Sequence, residues 1–127
     1  MSPRELLDTA SGLLNRPAPS LRRCWPRACA SLTRIALEQA LRDYWQRKAP
    51  SLVGRPMRHQ LLALPVFADP ETAALGRSAW HGLSRAVHHH TYELAPTVAE
   101  LEGWHRDVAT LLKRLACVGD GKIRVAS

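Results

Sequence analysis

The stretch TVAELEGWHRDVATLLKRL, residues 97–115, decides the fold class. Thr97 and Glu100 stand three apart, the spacing at which a hydroxyl and a carboxylate each accept the other's backbone N–H and start a helix. Leu101, Trp104, His105, Val108, Leu111, Leu112 and Leu115 then return at intervals of three and one. That is one stripe of a helix turning by about 100° per residue. A half-buried strand would need alternation with period two, and no segment of the chain shows it. Gly119 and Gly121 are expected to end this helix and to leave a loose tail over residues 118–127.

The same signals recur along the rest of the chain. Ser2, Pro3 and Glu5 predict a capped helix start, followed by the stripe Leu6, Leu7, Ala10, Leu13 and Leu14. Asn15 to Ser20, with two prolines, closes it. From about Leu21 to Lys48 runs a long helical segment with a wide apolar stripe. Pro26 fits only its first turn, so the regular helix is expected to begin there. Ala49 to Pro56 is a connection. Met57 to Leu64 is a short apolar helix that Pro65 should close. Asp69, Pro70 and Glu71 form a strong start, predicting a helix from Pro70 to around His90 or Tyr92. The chain is therefore read as one all-α domain, residues 1–127. Its architecture is an up-and-down helical bundle of four to five helices, three or four of them main ones.

The composition narrows the function. With 46% hydrophobic and 23% charged residues, the chain is neither a disordered nor a membrane protein. Its longest apolar run, Leu61 to Ala68, falls far short of the roughly 20 residues that cross a bilayer. Glu5 and Asp8 among the first leucines do not fit a secretory leader, so a cytoplasmic location is expected. Cys24, Cys29 and Cys117 are odd in number and lack zinc-finger spacing, and read as small core or half-buried residues. The net charge of +7 is lopsided: residues 1–58 hold eleven Lys and Arg against four acids, and residues 59–127 hold seven of each. Arg22, Arg23, Arg27 and Arg34 lead this basic half. They read either as a solvated face or as a surface that tracks a nucleic-acid backbone.

The residues that point to chemistry lie late in the Pro70 helix. On an ideal helix Leu75, Ala79, Leu83, Ala86 and Val87 share one side, while His81, Arg85, His88, His89 and Tyr92 project from the other. A guanidinium can hold a phosphate through two parallel hydrogen bonds, and an imidazole can move protons near neutral pH. His90 lies five residues from Arg85, roughly 140° round an ideal helix and amid the apolar stripe. Either it is a hydrogen-bonded core histidine, or the helix ends or distorts near His88 to His90, or the two residues meet through a partner subunit. His89 with Glu93, and His88 with Tyr92, stand four apart, so a metal site on one turn can be drawn. It lacks a second ligand cluster, and no metal or other cofactor is expected.

The string Arg85-Ala86-Val87-His88-His89-His90-Thr91-Tyr92 resembles the R-x4-6-H signature of the HEPN superfamily. In its R-x4-H-x-Y form it is similar to the HEPN toxins of bacterial toxin–antitoxin pairs. The flanking phrases, Ala79 to Arg85 and Tyr92 to Thr97, also resemble small actinobacterial HEPN-like proteins. The resemblance implies a helical bundle that pairs as a homodimer, with motifs from two subunits forming one cleft for RNA. It implies that Arg85 binds the scissile phosphate, that His90 acts as general base or acid, and that Tyr92 with His88 or His89 assists orientation. A toxin or phage-defence role follows, with an antitoxin or defence-system protein as partner. Ala86 stands where many active members carry a polar residue. No hydroxyl lies between Arg85 and His90 for an antitoxin to modify. Some HEPN domains are noncatalytic modules that bind nucleic acid or a protein, which is the alternative reading.

Overall fold

Thr97 N–H donates to Glu100 Oε1 at 2.9 Å and Glu100 N–H donates to Thr97 Oγ1 at 3.1 Å, the reciprocal cap that their spacing predicts. In the computed structural model, which describes residues 1–15, 25–88 and 95–126 and the side chains of those up to 116, this cap opens the last of five helices. They are α1 (Pro3–Asn15), α2 (Trp25–Lys48), α3 (Met57–Phe67), α4 (Pro70–Val87) and α5 (Val98–Ala126). A 3-10 turn, Pro50–Leu52, lies between α2 and α3, and no strand occurs among the described residues. The all-α bundle is as expected.

Two helix ends differ from expectation. α3 continues past Pro65 to Phe67, because a proline in the last turn forfeits only one bond, that to the carbonyl of Leu61. Ala68 N–H still reaches Leu64 O at 2.8 Å and closes the helix. α5 runs through Gly119 and Gly121 to Ala126. Glycine weakens a helix by about 1 kcal/mol relative to alanine without ending it. α2 begins at Trp25 with Pro26 in its first turn. The segment Leu21 to Cys24 lies outside the described residues.

α2 is central, touching α1, α4 and α5. Its contacts with α4 run in opposite senses: Arg34 meets Trp80, and Arg27, seven residues earlier, meets Val87, seven residues later. α4 and α5 are antiparallel by the same logic, Gly82 facing Trp104 and Glu71 facing Arg114. Leu6, Leu7, Cys29, Leu37, Leu41, Leu64, Leu83, Leu101, Val108 and Leu111 form one core. Trp45 is fully buried in it, and Tyr44 and Phe67 meet its ring edge-on at centroid distances of 5.1 and 5.3 Å. Its Nε1–H donates to Gln60 Oε1 at 3.1 Å, and Gln60 Nε2 donates to Arg55 O at 2.7 Å. The buried indole thus has the partner that a low-dielectric site requires. Cys29 is wholly buried, and desolvation pushes its thiol up to about 11, so it behaves as a small apolar residue.

At Gly82 α5 approaches α4 closely. A β-carbon there would lie 2.5 Å from Trp104 Cε2, nearer than real contacts allow. Gly82→Ala should therefore destabilise the bundle by about 1–2 kcal/mol, although alanine is the better helix former: overpacking costs more than the roughly 1 kcal/mol that propensity returns. Chemical denaturation decides the sign, and a stabilised variant would refute the close approach.

Candidate functional site at the end of α4

Asp69 fixes where α4 starts. Its carboxylate accepts from Thr72 N–H at 3.1 Å and from the Thr72 hydroxyl at 2.5 Å, and Pro70 supplies the first helical residue. The Thr72 hydroxyl is the main reason that the Asp69 carboxyl titrates below its ordinary value of 3.8, and Arg114, 3.7 Å away, adds to it. A depressed carboxylate stabilises the fold above its unfolded pKa and loses that contribution as pH falls through its folded value. Asp69→Ala should cost about 1 kcal/mol at neutral pH, and the melting curves of variant and parent should converge as pH falls through the depressed folded value. A gap that persists in acid would assign the loss to something other than the charge.

From that start the register of α4 is set. Ala73, Gly76, Ala79, Leu83 and Ala86 are buried, whereas His81, Arg85 and His88 are exposed and follow each other at four and three residues along one edge. α4 ends at Val87, and His88 is its C-cap, with φ −102° and ψ 14° and its N–H donating to Ser84 O at 3.1 Å. The expected continuation to His90 or Tyr92 does not occur within the described residues. The predicted register thus holds as far as Val87. His89, His90 and Tyr92 lie outside the described residues.

Arg27, from the first turn of α2, reaches this end. Its Nε–H donates to Val87 O at 2.8 Å. The carbonyls of a last helical turn lack intrahelical donors and carry partial negative charge, so a guanidinium there both satisfies one and offsets the dipole. Arg27 remains exposed while making this bond. One end of the bundle therefore gathers Arg27, Arg85 and His88: two fixed positive charges and an imidazole on solvent. Anion binding is the chemistry such a cluster offers.

Arg34 does a different job. Its guanidinium lies over the Trp80 ring at 4.7 Å from the centroid and pairs with Glu38 at 3.8 Å, bracing α2 on α4. Arg47 likewise donates to Leu115 O at 3.3 Å, joining α2 to α5. The basic half of the chain is therefore partly used between helices. Arg22 and Arg23 lie outside the described residues. The Arg27–Val87 contact, sixty residues apart in the chain, and the buried hydroxyl of Ser84, which has no hydrogen-bond partner among the described residues, have no local sequence signal. Among the described residues no three His, Cys, Asp or Glu side chains come together as a metal site, and no helix is long and apolar enough to cross a membrane.

No protein-family model matches the chain, and neither a curated protein nor a solved structure is similar to it at a significant level.

Proposed function

We propose that the chain is a metal-independent endoribonuclease of the HEPN type, working as a cytoplasmic homodimer in a toxin or phage-defence role. The observation that carries this reading is the end of α4 at Val87, which leaves Arg85 exposed on the last turn and His88 exposed at its cap. Arg85, the first residue of the R-x4-H-x-Y string, thus stands on the last turn of a helix. Arg27 brings a second guanidinium to the same end of α4.

In the proposed reaction the 2′-hydroxyl attacks the adjacent phosphorus, the 5′-oxygen leaves, and a 2′,3′-cyclic phosphate remains. His90 takes the proton of the attacking hydroxyl or supplies one to the leaving oxygen, while Arg85 offsets the charge gathering on the phosphoryl oxygens. Tyr92 and His88 or His89 orient the substrate. A second reading, a noncatalytic helical module, is favoured by one observation: Leu62 and Val66, four apart on α3, are 74% and 73% exposed, as on a surface that meets another protein.

RNA cleavage in EDTA by the parent chain, Arg85→Ala and His90→Ala, with mass measured in solution, separates the two. Cutting by the parent dimer that both substitutions suppress supports the ribonuclease. Intact RNA under these conditions, or cutting that neither substitution changes, refutes it. Binding without cleavage that falls steeply with salt supports the module.

A further inference from the structure

On α2, Ile35, Glu38, Gln39 and Arg42 follow one another at helical spacing and form one wall of an open cleft of about 400 Å³. That size falls within the roughly 300–1,000 Å³ of small-molecule sites. The opposite wall is the connection from Val53 to Met57, and this connection is held in place. Gly54 turns the chain at φ 83°, a conformation that favours glycine. Arg55 N–H donates to Leu52 O at 3.2 Å, and its carbonyl accepts from Gln60 Nε2, which Trp45 anchors through the core. The backbone that carries the Arg55 guanidinium is therefore fixed before any ligand arrives, which lowers the cost of binding one.

The charges are unequal. Among the described residues that line the cleft, Glu38 is the one acid, and it is already paired with Arg34. Arg42 and Arg55 are exposed, and neither pairs with a carboxylate among the described residues. Two unpaired guanidinium groups match a phosphomonoester, which carries a charge of about −1.5 to −2 at neutral pH and accepts forked hydrogen bonds. Ile35, 40% exposed, with Val53 and Met57 offers an apolar surface beside them.

We propose that this cleft binds an organic phosphate, its phosphomonoester held by Arg42 and Arg55 and a flat or apolar group of nucleotide size resting on Ile35, Val53 and Met57. The source is a free mononucleotide or the 5′-phosphorylated end of an RNA. The site is separate from the end of α4, and Arg85→Ala leaves it intact.

Titration calorimetry on the full chain tests this with AMP, adenosine, inorganic phosphate, and a short RNA with and without its 5′-phosphate. AMP should bind saturably, with adenosine and inorganic phosphate each weaker by about tenfold or more. Arg42→Ala and Arg55→Ala should each weaken AMP by about tenfold while melting like the parent, since both side chains are exposed. Affinity should fall below about pH 6 as the phosphate takes its second proton. A 5′-phosphorylated RNA that binds more tightly than AMP, and loses that advantage with a 5′-hydroxyl, assigns the RNA end; equal binding assigns the free nucleotide. The proposal fails if AMP shows no saturable binding, if inorganic phosphate matches it, or if both arginine variants bind it as the parent does.

Discussion

Trp45→Ala should melt about 10–20 °C below the parent chain, a loss of about 3–5 kcal/mol out of the roughly 5–15 expected of a domain. Three effects act together. The indole is fully buried, so its removal leaves a cavity that α2 and α3 cannot close without moving. The edge-on contacts with Tyr44 and Phe67 vanish with it. Gln60 Oε1 is left in the core without its donor, which costs about 1–3 kcal/mol. Trp45→Phe isolates the last effect, since the ring survives and the donor does not. Combining Trp45→Phe with Gln60→Met should cost less than the sum of the two single changes, because removing both partners leaves less unsatisfied polarity than removing one. A Trp45→Ala protein that melts within a few degrees of the parent would place the indole outside the core.

On the ribonuclease reading, Arg85→Ala is expected to slow RNA cutting by about 10²–10³-fold, the effect of losing one preorganised donor at a developing anionic charge. Its stability should change by no more than about 0.5 kcal/mol, because the side chain is exposed and pairs with no carboxylate among the described residues. Arg85→Lys keeps the charge and loses the planar fork, so it should fall between parent and alanine variant. Single-turnover cleavage measured beside a melting curve separates chemistry from folding. Equal rates in all three proteins would remove Arg85 from the reaction.

Helix starts were legible because capping is local. Ser2 and Glu5 exchange bonds of 2.8 and 3.2 Å, Thr97 and Glu100 do the same, and Asp69 caps α4, all within three residues. Helix ends were less so, because Pro65 and Gly119 each lower the stability of a helix by an amount that burial elsewhere can outweigh. The polar edge of α4 was legible from periodicity. Its termination at Val87 was not, nor was Arg27 as its capping cation, because no pattern in a window of a dozen residues encodes a contact across sixty. Gly82 carries no side chain, and the indole of Trp104 fills the space that one would take.

His105 Nε2 lies 2.8 Å from the carbonyl of Leu7, so the first helix is stitched to the last. During synthesis that partner arrives late. At about 5–20 residues per second, on the order of 5–20 s pass between the emergence of Leu7 and that of Leu101. Until α5 is made, α1 has at most α2 to rest on, and its contacts with α5 come last. Any change that loosens α5 therefore uncovers one side of α1 as well, because α1 rests on α5 as it does on α2.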